Sequence, residues 1–400
     1  MEQLPLAGVR VLDLTNVLAG PYCSFQLSLM GAEVVKIEKP GSGDLARHLG
    51  PDPELNDRGI GTSFLAQNAG KKSVELDLKD PDGRAAFEDL VRGADVLLEN
   101  YRAGVLARLG YDWDVLHRLN DQLVYCAISG FGQTGPGSQA PAYDQVVQGL
   151  SGMMSITGTA ETAPLRVGFP VCDSIGGLMA AFAISSALVG RAHGGGGSFL
   201  DLSMLEASMS AMGWAVSSYL ISGVETVAMG DQNATAAPSG TFHAADGPLN
   251  IAANRQSQFE TLCRLIGRED LVDDPKFLTR DLRKVHRFEL NQEIDEALAG
   301  RSALVWEKEL SAAGVPAARI LTVAQAVESE QLHHRRFFHD VPFPGGEDRM
   351  VRTSGNGVHL DGRPLRPQGP PPTLGQHNDE LDELRRASQA RSQLRRGGAA

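Results

Sequence analysis

A chain of 400 residues is longer than one typical core supports, and it points to two domains or to one large domain with an insertion. Its 42% hydrophobic and 22% charged composition is that of an ordinary globular protein, and a net charge of −12 argues against nucleic acid or an anionic membrane surface as partner, since both need a positive excess. The four cysteines, Cys23, Cys126, Cys172 and Cys263, lie far apart without CxxC spacing, so neither a zinc site nor a disulfide framework is indicated.

The start, MEQLPLAGVRVLDL, lacks the basic-then-apolar pattern of a signal sequence, and no run reaches the roughly 18 uninterrupted apolar residues of a membrane span. The expectation is a soluble cytoplasmic protein. Strand-like runs follow at 9–15 (VRVLDLT), 33–38 (EVVKIE), 73–78 (SVELDL), 95–101 (DVLLENY) and 123–129 (LVYCAIS). Helical patterns lie between several of them. The clearest is 80–94, where Ala86, Leu90 and Val91 make an apolar stripe that Gly93 closes. This alternation predicts an α/β fold, a mostly parallel Rossmann-like sheet covered by helices. The turn after the first strand reads TNVLAGP, not GxGxxG, which disfavours a dinucleotide-dependent dehydrogenase.

The stretch RVGFPVCDSIGGLMAAFAISSALVG (166–190) reads as an extended run ending at Asp173, then a helix over 174–189 rich in small residues. Asp is a favoured N-cap, but Gly176 three residues on denies it a capping box. A carboxylate at a helix N-terminus is also stabilised in its ionised form by the macrodipole, which suits a nucleophile. Both readings of Asp173 stay open on this stretch alone. GGGG at 194–197 lacks a following Lys-Ser/Thr and leads into a strand, so it reads as a loop and not a phosphate cradle. Around 199–222, FLDLSMLEASMSAMGWAVSSYLIS predicts a strand and then a long, nearly all-apolar helix buried on every side, with a partner chain helping to cover it.

The compositional break at 225–245 sets the domain boundary, with a large domain over 1–224 and a small α+β domain over 225–330 that opens on PLNIAAN and the helix SQFETLCRLIG. Residues 331–385 return to the large domain, and the basic, polar 386–400 reads as a disordered tail. His333, His334 and His339 have arginine neighbours that repel a cation, so no metal is expected. Lys36, Lys39, Lys71, Lys72, Arg102 and Arg108 sit at or just after strand ends. Singly each is a solvated surface charge; together, at the edge where open parallel sheets bind ligands, they suit a polyanionic small molecule.

VLDLTNVLAGP, GAEVVKIEKPGSGD, KKSVELDL, ADVLLENYRAGVLARLG, SGFGQTGP, AYDQVVQGLSG, FPVCDSIGG and PPPTLGQH together resemble the class III CoA-transferases, the family of formyl-CoA:oxalate and carnitine CoA-transferases, to which α-methylacyl-CoA racemase is related. The resemblance runs over about residues 5–380 in the family's order. It implies Asp173 as the catalytic residue. It places contacts to CoA on Val17, Lys39, Lys71 or Lys72, Asn100, Tyr101, Val105, Arg108 and Leu109, and the pair near the active centre on Tyr143 and Asp144. It also implies an interlocked homodimer, and coenzyme A as substrate with no separate cofactor.

The chemistry so implied needs no general base. Asp173 attacks an acyl-CoA to give a mixed anhydride and CoA thiolate; the thiolate attacks the aspartyl carbonyl to give an aspartyl-CoA thioester; an incoming carboxylate then reverses the steps. The small residues after Asp173 are expected to let the thioester approach the backbone. A racemase needs a base on each face of the α-carbon, and where that relative has a histidine this chain has Tyr143, a poor base at neutral pH. A catalytically silent acyl-CoA-binding protein is the third reading. Leu18 stands where the oxalate enzyme has glutamine, and NATAAPSG (233–240) stands where that enzyme has a glycine-rich loop. The late sequence looks most like members that use succinyl-CoA and a second dicarboxylate. Arg166 and Arg255 are the candidates to pair with a distal carboxylate, and a straight strand would hold Arg166 about 23 Å from Asp173.

Overall fold

In a computed structural model that describes residues 4–397, with side chains to Arg395, six strands form one wholly parallel sheet. They are β1 (Arg10–Asp13), β2 (Glu33–Glu38), β3 (Lys72–Glu75), β4 (Val96–Glu99), β5 (Val124–Ser129) and β6 (Ser198–Ser203), in the spatial order β3-β2-β1-β4-β5-β6. β1, β4 and β5 are buried along their whole length, polar ends included, as strands covered on both faces are. Successive residues serve opposite cores: Val11, Val34, Leu98 and Cys126 face one, and Leu12, Val35, Leu97 and Tyr125 the other.

The helices include α1 (Ala19–Leu29), α2 (Pro81–Gly93), α3 (Asp144–Leu150), α4 (Val171–Ala192), α5 (Met204–Ala211), α6 (Trp214–Ser222), α7 (Gln256–Leu265) and α8 (Leu381–Gly397). α1, α3, α4 and α5 build the first core, and α2 and α8 contribute to the second. α4 is long and apolar enough by length and composition to cross a membrane, but its inner face packs into the first core. Its small residues serve that packing. A Cβ on Gly177 would lie 2.5 Å from the Ala19 carbonyl oxygen, and one on Gly176 would lie 3.0 Å from Met204 Cγ. The expected all-apolar helix around 199–222 is instead two helices, turned at Gly213 (φ +43), and α6 buries none of its residues within the chain: Trp214 is 84% and Ile221 85% exposed.

The chain divides into two compact units. The first takes the chain up to Met153, Arg166–Gly223 and the chain from Glu330; the second takes Met154–Leu165 and Val224–Ser329. Residues 154–165, expected within the large domain, thus belong to the second unit. That unit folds β7 (Ser239–Ala244), β8 (Gly247–Ala252) and β9 (Ala317–Arg319) into an antiparallel sheet, with Phe242, Ile251 and Leu262 of α7 in its core. The 233–240 loop lies here, and arginines pin its carbonyls. Arg287 donates to Asn233 O (2.9 Å), Arg280 to Thr235 O (2.6 Å) and Arg283 to Ala237 O (3.0 Å).

The stretch expected to be a disordered tail is helical through Gly397; residues 398–400 lie outside the described residues. Leu381, Leu384 and Ser388 recur on one face of α8 and dock on α2, while Arg385 pairs with Asp89 (2.8 Å) and Arg395 with Asp95 (2.6 Å). Ser388 comes so near that a Cβ on Gly93 would lie 2.3 Å from its Cα. Gly93 therefore permits a helix contact as well as ending α2. Gly93→Ala is expected to lose about 1–3 kcal/mol through overpacking, read as a lower thermal midpoint together with faster amide exchange over residues 381–395. An unchanged midpoint would mean that α8 does not dock there.

Candidate active site

β1 and β4 are neighbours in the sheet but feed turns that lead to opposite faces, so a crevice opens beyond their carboxyl ends. A cavity of about 170 Å³ occupies it. Its wall includes Asn16, Val17 and Leu18 from the turn after β1, Asn100, Tyr101 and Arg102 from the turn after β4, and Ser129 and Gly130 from the end of β5. Tyr143 and Asp173 also line it. The two turns are tied together. Asn16 N–H donates to Asn100 Oδ1 and Asn100 Nδ2 donates to Asn16 O, each at 2.8 Å. Beneath them the buried Glu99 accepts from Tyr101 N–H (2.5 Å) and from the Tyr125 hydroxyl (3.1 Å), and burial pushes its carboxyl up to about 7.

Asp173 stands in the first turn of α4, but it is not the cap. The helix already begins at Val171, three residues earlier than an N-cap at Asp173 demands, and orphan N–H groups are met from another helix. Asp144, at the start of α3, accepts from Cys172 N–H at 2.8 Å and Asp173 N–H at 3.3 Å through Oδ1. Gln148 fixes Asp144, donating to Oδ2 at 2.6 Å while accepting from Val167 N–H at 2.9 Å. The segment before α4 is not a straight strand. It brings Arg166 Nε to 4.0 Å from Asp144 Oδ2, so the separation of about 23 Å implied by an extended run does not hold.

With the cap supplied elsewhere, the Asp173 carboxylate meets no hydrogen-bond donor among the described residues. Burial, and after it the negative charge of Asp144, push it up to about 7. This reverses the sequence expectation that the helix dipole keeps it ionised. A dipole is worth only about 0.3–1 kcal/mol to a carboxylate near the surface, whereas removing a charge from water costs several.

The candidate CoA residues separate into groups. Val17, Asn100 and Tyr101 line the cavity with Asp173, and so does Tyr143, which is 70% exposed. Val105 and Arg108 lie on a short helix and Leu109 follows it; Arg108 and Lys39 are exposed. Lys72 pairs with Glu380 (2.9 Å) and Glu33 (3.5 Å). Lys71 does not reach a ligand surface: its buried Nζ bonds Ser24 Oγ (2.7 Å), Pro21 O (3.0 Å) and Asp13 Oδ2 (3.2 Å). Lys36 is equally buried and pairs with Asp44 at 2.9 Å. Arg255 is exposed at the start of α7 in the second unit. Among the described residues no group of His, Cys, Asp and Glu is placed to hold a metal ion. Sequence reasoning passed over Asn16, Ser129 and Glu99; a polar residue at or within three positions of each strand's carboxyl end was the available signal.

Residues 6–378 match the family model described as CoA-transferase family III. The chain belongs to that family. It is therefore a CoA-transferase. It is 35% identical to succinate–glutarate CoA-transferase of Agrobacterium fabrum, over 94% of each chain. It is 37% identical to acetyl-CoA:oxalate CoA-transferase of Acetobacter aceti, over 91% of this chain and 90% of that one. A solved CAIB/BAIF family protein from Brucella suis superposes with a TM-score of 0.84 at 33% identity, covering 96% of this chain and all of the other.

For the family III enzyme, the raised Asp173 sets an expectation about pH. Only the ionised carboxylate is a nucleophile, so kcat/KM for the acyl-CoA should rise with pH through a midpoint near 7. Asp144→Asn removes the like charge and keeps an acceptor for the helix, so its midpoint should move to lower pH. Profiles that coincide would show that Asp144 does not tune Asp173.

Proposed function

We propose that this family III enzyme moves CoA from an acyl-CoA, with succinyl-CoA as donor, to a free dicarboxylic acid through covalent intermediates on Asp173. The observation that carries the reading is a carboxylate without hydrogen-bond donors in the wall of the switch-point cavity. Its lone pairs are uncommitted, and its partial desolvation strengthens it as a nucleophile. Asp173 Oδ adds to the thioester carbonyl, the C–S bond breaks, and CoA leaves as thiolate from a mixed anhydride. The thiolate then attacks the aspartyl carbonyl, releasing the donor acid and leaving aspartyl-CoA thioester. The acceptor carboxylate displaces CoA to form a second anhydride, and the thiolate takes the new acyl group and frees Asp173.

The dicarboxylate preference rests on the named substrates of the relatives, succinate and glutarate among them. It is supported by Arg166, whose guanidinium lies beside Asp144, the carboxylate that accepts from Asp173 N–H. A racemase reading gains nothing from the geometry, because Asp144, the acid next to Asp173, is committed to the α4 backbone. Two copies of the chain work together in this reading. The exposed Phe182, Trp214, Leu220 and Ile221 form the kind of apolar surface that a second chain covers. The protein acts in the cytoplasm, where acyl-CoA donors and free acids meet.

Asp173→Asn is expected to lose about a thousandfold or more in transfer while CoA affinity and thermal midpoint stay near wild type. Hydroxylamine added after acyl-CoA alone should trap Asp173 as its hydroxamate. More than about a tenth of wild-type activity in the variant would overturn the role. Lys39→Ala and Arg108→Ala are expected to raise KM for the acyl-CoA several-fold with little change in kcat, as loss of uniform binding does. Lost turnover with normal KM would remove both residues from nucleotide binding.

A further inference from the structure

The turn after β1 holds Val17 at φ +68, a left-handed conformation that a β-branched side chain strongly disfavours. Such strain persists only where the surroundings over-determine it. Three consecutive residues here are gripped. Lys36 Nζ donates to Thr15 O at 2.6 Å, Asn100 holds both N–H and C=O of Asn16, and Val17 N–H donates to Asp44 Oδ1 at 2.9 Å. Asp44 and Lys36 pair at 2.9 Å with both side chains wholly buried. Asp44 is fixed in turn by its own N–H donating to Glu38 Oε2 at 2.9 Å, and Glu38 is held by Arg47.

A buried ion pair is a poor source of stability, since apolar replacements are often neutral or better. Its cost is understandable if it fixes a conformation. We propose that the buried Lys36–Asp44 pair is a positioning device that locks Val17 in its left-handed conformation and so sets the wall of the cavity that receives CoA. Without it, Val17 relaxes to negative φ, its peptide groups rotate, and Leu18, the next wall residue, moves with them. The inference rests on the CoA-transfer reading above. It adds that Lys36 and Asp44, which do not line the cavity, determine its shape through one strained residue.

Glycine adopts φ near +68 at no steric cost, and this gives the test. CoA affinity by titration calorimetry and thermal midpoints are measured for wild type, Asp44→Ala, Val17→Gly and the double variant. Asp44→Ala is expected to bind CoA about tenfold more weakly, the scale of one strained residue relaxing. Val17→Gly sets its own baseline, because it also removes a wall side chain, and on that background Asp44→Ala should cost less than about threefold, because glycine needs no clamp. A merely structural role for Asp44 would not be repaired by glycine 27 residues away. A double variant about tenfold or more weaker than Val17→Gly overturns the proposal. If Asp44→Ala shows no folded transition, Lys36→Met takes its place with the same rescue expected and the same contradicting result. Wild type that binds no CoA would overturn the functional reading as well, whereas wild-type binding with an additive cycle overturns the clamp alone.

Discussion

The order of the sheet reverses between β1 and β4, and the site follows from that reversal. Parallel strands whose connections leave toward opposite faces cannot close the space beyond their carboxyl ends. Two short polar turns border the opening, and the cross-bonded amides of Asn16 and Asn100 fix their separation. The apolar strand interiors provide rigidity: β1, β4 and β5 are buried throughout, so the turns hang from a frame that cannot shift.

Into this crevice α4 delivers one carboxylate, and its neighbours leave that carboxylate reactive. Asp144 takes over the capping of α4, which frees Asp173 from backbone duty and places a second negative charge close by. A nucleophile that must also become a leaving group benefits from both effects. Its lone pairs are free, and its ionised form is not overstabilised. The tight seating of α4 against α1 at Gly177 holds the presenting helix in place.

The frame was legible because short strand-like runs alternated with helical patterns, as a parallel sheet covered by helices requires, and the eight motifs in order identified the family. What stayed hidden depended on partners distant in sequence. Lys71 read as a ligand for phosphate because charge in a sequence carries no burial; its partner Asp13 is 58 residues away. Asp173 read as a possible cap because the true cap, Asp144, lies 29 residues upstream. α8 read as a loose tail because Ser388 seats on a glycine nearly 300 residues earlier, Leu384 enters the second core and its arginines find Asp89 and Asp95. The strain at Val17 has no sequence signature, since the position would ordinarily be glycine.

The central claim, acyl transfer through the Asp173 carboxylate, is tested most directly by following oxygen. If the acceptor acid carries heavy oxygen in both positions of its reacting carboxylate and the reaction runs in ordinary water, each turnover leaves one of those atoms on Asp173 when CoA thiolate opens the second anhydride. After multiple turnovers, mass spectrometry of the peptide containing Asp173 should show heavy oxygen in that side chain, and later-released donor acid should carry it too. An unlabelled Asp173 after full conversion of the acid to its CoA thioester would contradict the account.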